Sequence, residues 1–362
     1  MPRRTLAFAL LTSLLAAGPA FADAADRDAA ILARAVDGYI RPAVDRFAGD
    51  ARRLEQSIVG FCAAPGAATR RPVDAAFRTT VEAWSGVQFL RFGPLTEAHR
   101  LERVAYWPDP KGIGLRQIRG ALAARDPSVA DPMALAGKSV ALQGLTALEY
   151  LLYADEGDAA GAAGEAGAFR CAYATAAARS LAGLAAAVAG EWDDTDGFAG
   201  RLLQPGGDDP LYRTPSEALS ELHRALGTGL QVTQDLKLKP VLGETMDAAR
   251  PFAAPFRRSG LSVAVLAADL RGLKAYFAQA GFALELPEEH RWLGGSMAFE
   301  LDNAITAAEA VTQPIDEAVY DPAARGKLGY LFVVLGHLRD LTQQDLAAAL
   351  GLTVGFNALD GD

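Results

Sequence analysis

Apolar residues recur every three or four positions along most of this 362-residue chain, and stretches that alternate apolar and polar residues are nearly absent. Such spacing places apolar side chains on one face of an α-helix and does not fit the two-residue repeat of a strand. One series of this kind ends before a proline and comprises Phe47, Ala51, Leu54, Ile58 and Phe61. The pattern therefore predicts an all-α protein.

The helical patterns fall into two groups of four, which predicts two tandem domains resembling four-helix bundles. Residues 23–192 form the predicted N-terminal bundle, and residues 214–362 form the C-terminal bundle with an extended tail from 351. Between them, residues 193–213 are rich in Asp, Gly and Pro and predict a connection. The helices are predicted near residues 47–61, 73–91, 139–153 and 169–192, and then from Thr214 onward and over 255–280, 295–318 and 322–351.

The N-terminus has the pattern of a secretory signal peptide. Arg3 and Arg4 precede an apolar run over 6–17, and Ala20 and Ala22 are the small residues of a cleavage site. We expect residues 1–22 to be removed and the mature protein to be periplasmic; an uncleaved membrane anchor is the alternative. No cysteine precedes Cys62, so the pattern does not predict a lipid anchor.

An exported protein enters an oxidising compartment, where its two cysteines, Cys62 and Cys171, can form a disulfide. We expect them to pair, and two buried free thiols are the alternative. The formal net charge of -9 has the wrong sign for a protein that holds phosphate backbones, so nucleic acid is not an expected partner.

Polar residues interrupt two of the apolar stripes. Gln88 and Arg91 continue the stripe of the second predicted helix, and Glu149 lies on the stripe of the third, one turn after Thr146. Buried polar groups need partners, so we expect these four residues to face a polar cavity. Two alternatives remain: Gln88 and Arg91 reach solvent at the helix end, or Arg91 and Glu149 form a plain ion pair.

Histidines offer little support for a metal centre. The pairs His99/Glu102 and His337/Asp340 have i, i+3 spacing, but neither has a second matching pair in the sequence. His223 and His290 fit a surface helix and a loop. No motif of nucleophilic catalysis or phosphate binding is present, so no catalytic residue is predicted.

Several segments, in order along nearly the whole chain, resemble the imelysin family. They are F-C-A-A-P at 61–65, A-W-S-G-V-Q-F-L-R-F-G-P at 83–94, Y-W-P-D at 106–109, G-L-T-A-L-E at 144–149, R-R-S-G-L-S at 257–262 and G-F-N-A-L-D-G-D at 355–362. The resemblance implies an exported protein of two helical bundles, a site near their interface and a link to bacterial iron uptake. It also implies that Arg258 and Ser259 join Glu149 at that interface.

The family's older metallopeptidase label rests on a G-x-H-x-x-E motif, in which Thr146 here replaces the histidine. A hydroxyl is a poor ligand for zinc or iron, so the replacement weakens the peptidase and direct iron-binding interpretations and leaves Glu149 as the only motif ligand. We expect a periplasmic binding or accessory protein for iron, another divalent metal or a small chelated ligand, with a membrane-bound uptake partner. A metal-dependent peptidase and a helical scaffold that docks on a membrane partner are the alternatives.

Overall fold

A computed structural model of the protein describes residues 19–154 and 164–352. Within these ranges the chain forms helices and no strand, which confirms the all-α prediction. Most of the predicted signal peptide and of the predicted extended tail lie outside the described residues. The long helices are α1 (Pro19–Arg34), α2 (Arg41–Ala63), α3 (Ala67–Ser85), α4 (Ile113–Ala124), α5 (Gly144–Tyr153), α6 (Glu165–Asp193), α7 (Pro215–Gln231), α8 (Ser262–Ala280), α9 (Trp292–Glu309) and α10 (Pro322–Asp340).

Shorter helical segments continue or connect the long helices. Three π-helical segments continue long helices without a break: Ala35–Ile40 between α1 and α2, Val232–Leu238 after α7, and Leu341–Leu346 after α10. The short α-helices are Arg100–Val104, Pro132–Ala136, Phe198–Leu203, Lys239–Leu242, Ile315–Ala318 and Ala347–Leu350. The 3₁₀ segments are Gly93–His99, Pro127–Val129, Val140–Leu142, Pro251–Ala253, Phe282–Glu285 and Glu288–His290.

The first half is organised around α6, which packs against α2 and α5, while α3 also packs against α2. Cys62 at the end of α2 and Cys171 in α6 form a disulfide with a Cα–Cα distance of 5.6 Å, which confirms the predicted pairing. By length and composition α6 is also the one described helix that could cross a membrane. Over half of its most apolar stretch is buried in the protein, as expected for the core helix of a bundle.

The second half contains α7, α8, α9 and α10, with α8 in contact with both α7 and α9. Helix α7 starts as predicted, because the Thr214 hydroxyl accepts a hydrogen bond from the Glu217 N–H at 3.2 Å. His223 on α7 is buried, with Nε2 2.8 Å from the Thr342 carbonyl oxygen, so its expected surface position was wrong. The physical reason is that α7 packs against α1, α8 and α10 and therefore has several buried faces.

The first continuous helix connects the two halves. Its α1 portion packs against α7 and α8, whereas α2 packs against α3 and α6. Helix α3 also contacts α8, where an ideal Cβ at Gly272 would lie 3.0 Å from the Cα of Gly86. The absence of a side chain at Gly272 therefore allows the two halves to approach closely.

Residues 193–213 are packed onto the bundle rather than extended between two bodies. The Phe198 ring contacts three aromatic rings in edge or tilted arrangements, those of Phe92, Trp192 and Tyr212. The division at 193–213 thus remains a prediction about folding units, whereas the helices on both sides of it share one continuous apolar core.

Candidate functional site

The candidate site begins with the turn that starts α5. Gly144 has φ +67°, and an ideal Cβ there would lie 2.2 Å from the Val104 carbonyl oxygen and 2.3 Å from that of Arg103. Only glycine fits this approach, since any side chain would collide with backbone. The first residue of the G-L-T-A-L-E segment therefore fixes α5 against the Arg100–Val104 helix and sets the position of Glu149 one and a half turns later.

Glu149 is buried, with 5% of its surface exposed, at the contact between the two halves. Its Oε1 atom accepts hydrogen bonds from the backbone N–H and from the hydroxyl of Ser259, both at 2.9 Å. The Ser259 hydroxyl also lies 3.1 Å from the Phe256 carbonyl oxygen. Because a hydroxyl has one proton to donate, the carboxylate and the carbonyl compete for it.

The loop that carries Ser259 is held by its own backbone. Phe256 has φ +53°, its carbonyl oxygen accepts the Leu261 N–H at 2.9 Å, and the Ser262 hydroxyl donates to the Pro255 carbonyl at 2.7 Å. A positive φ at a bulky residue is costly and persists only where the surroundings enforce it. The loop is therefore preorganised to present the Ser259 donors to Glu149.

Two arginines of the same loop lie close enough to act on Glu149. The Arg258 guanidinium stacks on the Tyr150 ring, 5.3 Å from its centroid, and Arg257 pairs with Asp316 at 2.8 Å. Burial is the largest influence on Glu149 and raises its pKa, while the Ser259 hydrogen bonds and the charges of Arg258 and Arg257 lower it. The net direction is upward, so the neutral form is favoured more than in a solvated glutamate.

Thr146 lies one turn before Glu149 on α5 and is partly exposed. Its hydroxyl forms no hydrogen bond with another described residue, so it keeps its donor and acceptor capacity. The structure thus brings Glu149, Ser259, Arg258 and Thr146 to one region, with Glu149 and Ser259 in direct contact.

Gln88 belongs to a second buried polar centre. Its Nε2 donates to Asp269 Oδ1 at 2.7 Å, and Lys237 Nζ lies 2.7 Å from Asp269 Oδ2. Asp269 and Lys237 are almost completely buried, on α8 and in the π-helical segment after α7. The adjoining cavity, which Thr233 and Ser85 help to line, has a volume of about 10 Å³. That space suits at most one water molecule, so this centre is an internal link and not a ligand pocket.

The structure differs from the predicted helix at Gln88 and Arg91, because α3 ends at Ser85. After it, four apolar residues within six positions are all buried, which no single helical face could achieve, and the backbone turns instead: Val87, Phe89, Leu90 and Phe92. Arg91 forms no ion pair with Glu149 among the described residues. Its Nε is buried without a hydrogen-bond partner, and Glu102 and Lys237 are the charges that act on it.

Sequence spacing did not identify Asp269 and Lys237. A signal was available, since Asp269 interrupts the apolar run V-A-V-L-A-A-D-L of α8 and occupies an inward position between Leu266 and Leu270. Its partner lies 32 residues earlier, and no helical spacing relates the two positions.

The described residues offer no metal centre. No group of three or more His, Cys, Asp or Glu side chains comes together within 19–154 and 164–352. His99 and Glu102 are both exposed, and His337 Nδ1 lies 3.4 Å from Glu300 and forms no ion pair with Asp340. Glu149 stands as a single carboxylate that already accepts two hydrogen bonds. A resident metal cofactor therefore does not fit this donor set.

Comparisons with known proteins agree with this architecture. The family model of imelysin, the M75 peptidase family by its label, matches residues 35–343. An imelysin-like protein from Psychrobacter arcticum has the same fold, with a TM-score of 0.72, 20% identity, and coverage of 92% of this chain and 98% of that one. A protein from Parabacteroides distasonis named as an iron-regulated protein A precursor gives a TM-score of 0.70, 16% identity, and coverage of 88% and 94%.

A comparison with curated protein sequences gave no match. The family match extends over most of the chain, from the first π-helical segment to the third, and includes both halves and the Glu149–Ser259 contact. The chain belongs to the imelysin family.

Proposed function

We propose that this protein is an exported, non-enzymatic member of the imelysin family that binds iron, in chelated form, or a small organic ligand beside Glu149. In this proposal it serves iron uptake together with a membrane-bound partner. The observation that carries the proposal is the Glu149–Ser259 contact: a buried carboxylate from one half held by neutral donors of the other, with Arg258 next to it.

The donor set argues against peptide hydrolysis. A zinc peptidase needs about three protein ligands, an open position for water and a group that moves protons. Glu149 is one carboxylate, Thr146 stands where the motif has histidine, and no cluster of three ligand side chains occurs among the described residues. The same argument disfavours tight binding of a bare metal ion.

The charges favour an oxygen-rich anionic ligand. Arg258 and Arg257 lie near Glu149. Guanidinium groups bind carboxylates in a fixed two-point geometry, and the hydroxyl of Thr146 adds a neutral donor. A chelated ion presents such oxygens and also needs no histidine from the protein.

Export and the connection to iron are supported from several directions. The N-terminal pattern of Arg3, Arg4 and an apolar run is typical of a signal peptide, and the Cys62–Cys171 disulfide fits an oxidising compartment. The Parabacteroides distasonis protein of the same fold is named as an iron-regulated precursor. These points support a periplasmic protein with a role in iron uptake.

The test compares ligands on one protein. Mature protein is titrated with ferrous iron, ferric citrate and citrate alone, and binding is followed by calorimetry. We expect ferric citrate to bind and the bare ion to bind weakly, with loss of affinity in Glu149→Gln and Arg258→Gln. Glu289→Gln is the matched control, because Glu289 is exposed on the Glu288–His290 segment.

Cleavage of unfolded peptides that chelators block and Glu149→Gln abolishes would overturn the proposal in favour of a peptidase. Ferric citrate binding that is equal in wild type and Glu149→Gln would place the ligand elsewhere. No binding of any of the three probes, with retention on a membrane fraction, would favour the scaffold interpretation.

A further inference from the structure

A cavity in the second half shares no lining residue with the Glu149 site. It has a volume of about 600 Å³ and is formed where the end of the Lys239–Leu242 helix faces α10. Most of its lining is apolar, with Phe332 and Leu242 among the walls. A cavity of this size and character is in the range that encloses a small organic molecule.

The wall of the cavity is fixed before any ligand arrives. The Arg325 guanidinium donates to the Leu242 carbonyl at 2.8 Å and to the Gly243 carbonyl at 3.2 Å. Gly243 has φ +61°, and an ideal Cβ there would lie 2.4 Å from the Ala248 carbonyl oxygen. The Arg250 N–H closes the loop by donating to the Val241 carbonyl at 3.0 Å. These bonds occupy N–H donors of the Arg325 guanidinium and hold the loop in place.

Two other cationic side chains, those of Lys239 and Arg250, also line the cavity. The side chains of Lys239 and Arg250 are exposed, and neither forms a hydrogen bond or ion pair with a described residue. Glu244 is the one acidic residue that lines the cavity. The lining is thus net positive in a chain whose formal net charge is -9.

We propose that this cavity binds an amphipathic organic anion, with an alkyl or aromatic body against Phe332 and Leu242 and a carboxylate or sulfonate head between Lys239 and Arg250. The apolar walls explain the body, and the two uncommitted cations explain the sign of the head. This site is independent of the one proposed for Glu149, so either can fail without the other.

Gly329 on α10 provides a way to close the cavity. It lines the cavity, and no atom lies within 4 Å of an ideal Cβ at this position. Gly329→Leu therefore introduces a side chain into the cavity from an uncrowded Cβ position, and leucine is a better helix former than glycine. Gly326→Leu is the matched control, because Gly326 is on the same helix, also has open space, and lines a different depression.

The experiment measures the fluorescence of anilinonaphthalene sulfonate titrated onto folded mature protein. We expect saturable binding that falls at least about tenfold in Gly329→Leu and is unchanged in Gly326→Leu. Octanoate should displace the dye, and octylamine, with the same chain and the opposite charge, should not. Equal dye binding in Gly329→Leu and wild type, with both variants folded by circular dichroism, would overturn the proposal.

The charge of the head is tested separately with the double variant Lys239→Gln/Arg250→Gln. An exposed charge contact contributes up to about fivefold in affinity, so octanoate binding should weaken by about tenfold in the double variant. Octanoate affinity that does not change in this variant would overturn the assignment of an anionic head.

Discussion

Two buried carboxylates join the halves of this protein, and they are held in different ways. Asp269 faces the ammonium of Lys237 at 2.7 Å and the Gln88 amide at 2.7 Å, in a space that admits about one water. Glu149 receives only the neutral donors of Ser259, and its nearby arginines form contacts with other groups. Asp269 is thus part of a fixed internal link, whereas Glu149 is a carboxylate that can change its protonation state or its partner.

The electrostatic consequence follows from burial. Burial raises the pKa of Asp269, and the ammonium of Lys237, at hydrogen-bond distance, opposes that shift. Burial also raises the pKa of Glu149, where no described cation is in direct contact. We therefore expect the Asp269 centre to determine stability and the Glu149 centre to respond to pH and ligand.

The largest loss of stability is expected when the Lys237–Asp269 ion pair is broken. Lys237→Met leaves a buried aspartate without its cation, which should lower the free energy of unfolding by about 3–5 kcal/mol. The measurement is urea denaturation at neutral pH. In the double variant Lys237→Met/Asp269→Leu most of this loss should be recovered; a double variant no more stable than Lys237→Met would show that the pair is not the cause.

The Cys62–Cys171 disulfide lies within the first half, so its removal should change stability without changing the contacts between the halves. It joins α2 to α6 and touches neither carboxylate, so Cys62→Ala/Cys171→Ala should lower the free energy of unfolding by about 2–5 kcal/mol. Ligand binding beside Glu149 should stay the same in the folded variant. Thiol titration of the denatured, unreduced wild type should find no free thiol, and two per chain would contradict the bridge.

A smaller loss is expected from Ser259→Ala, which removes the hydroxyl donor and leaves the N–H donor to Glu149. The expected cost is about 1–2 kcal/mol, the range for a buried acceptor that loses one hydrogen bond. Ser220→Ala is the control, since its hydroxyl donates to a backbone carbonyl within α7. A Ser259→Ala loss no larger than that of Ser220→Ala would mean that the hydroxyl serves Phe256 and not Glu149.

The smallest effect, and the most specific, is the pH dependence contributed by Glu149. Because its folded pKa lies above the ordinary value of about 4.5, the folded state holds more protons than the unfolded state in the window above that value. Stability from this residue is therefore lost as pH rises through the window. Glu149→Gln should gain stability relative to wild type from pH 4.5 upward. Urea denaturation of both proteins across this range measures the difference, and parallel curves would contradict the shifted pKa.

Residue patterns predicted the all-α fold, the disulfide and the start of α7, because each depends on local spacing or on residue identity. The spacing rule failed after Ser85, where several successive apolar residues are buried by contacts from different directions and the helix ends. Asp269 and Lys237 were missed for a related reason. A charge within an apolar helix can be identified, but its partner on another helix is fixed only by packing.

The first helix has a consequence for how the chain folds. Since α1 packs on α7 and α8, this first helix finds its neighbours only after more than half of the chain is available. Helices α2, α3 and α6 can associate earlier, through nearer contacts and the disulfide. Such distant pairings slow folding and favour assembly of the whole chain at once over completion one half at a time.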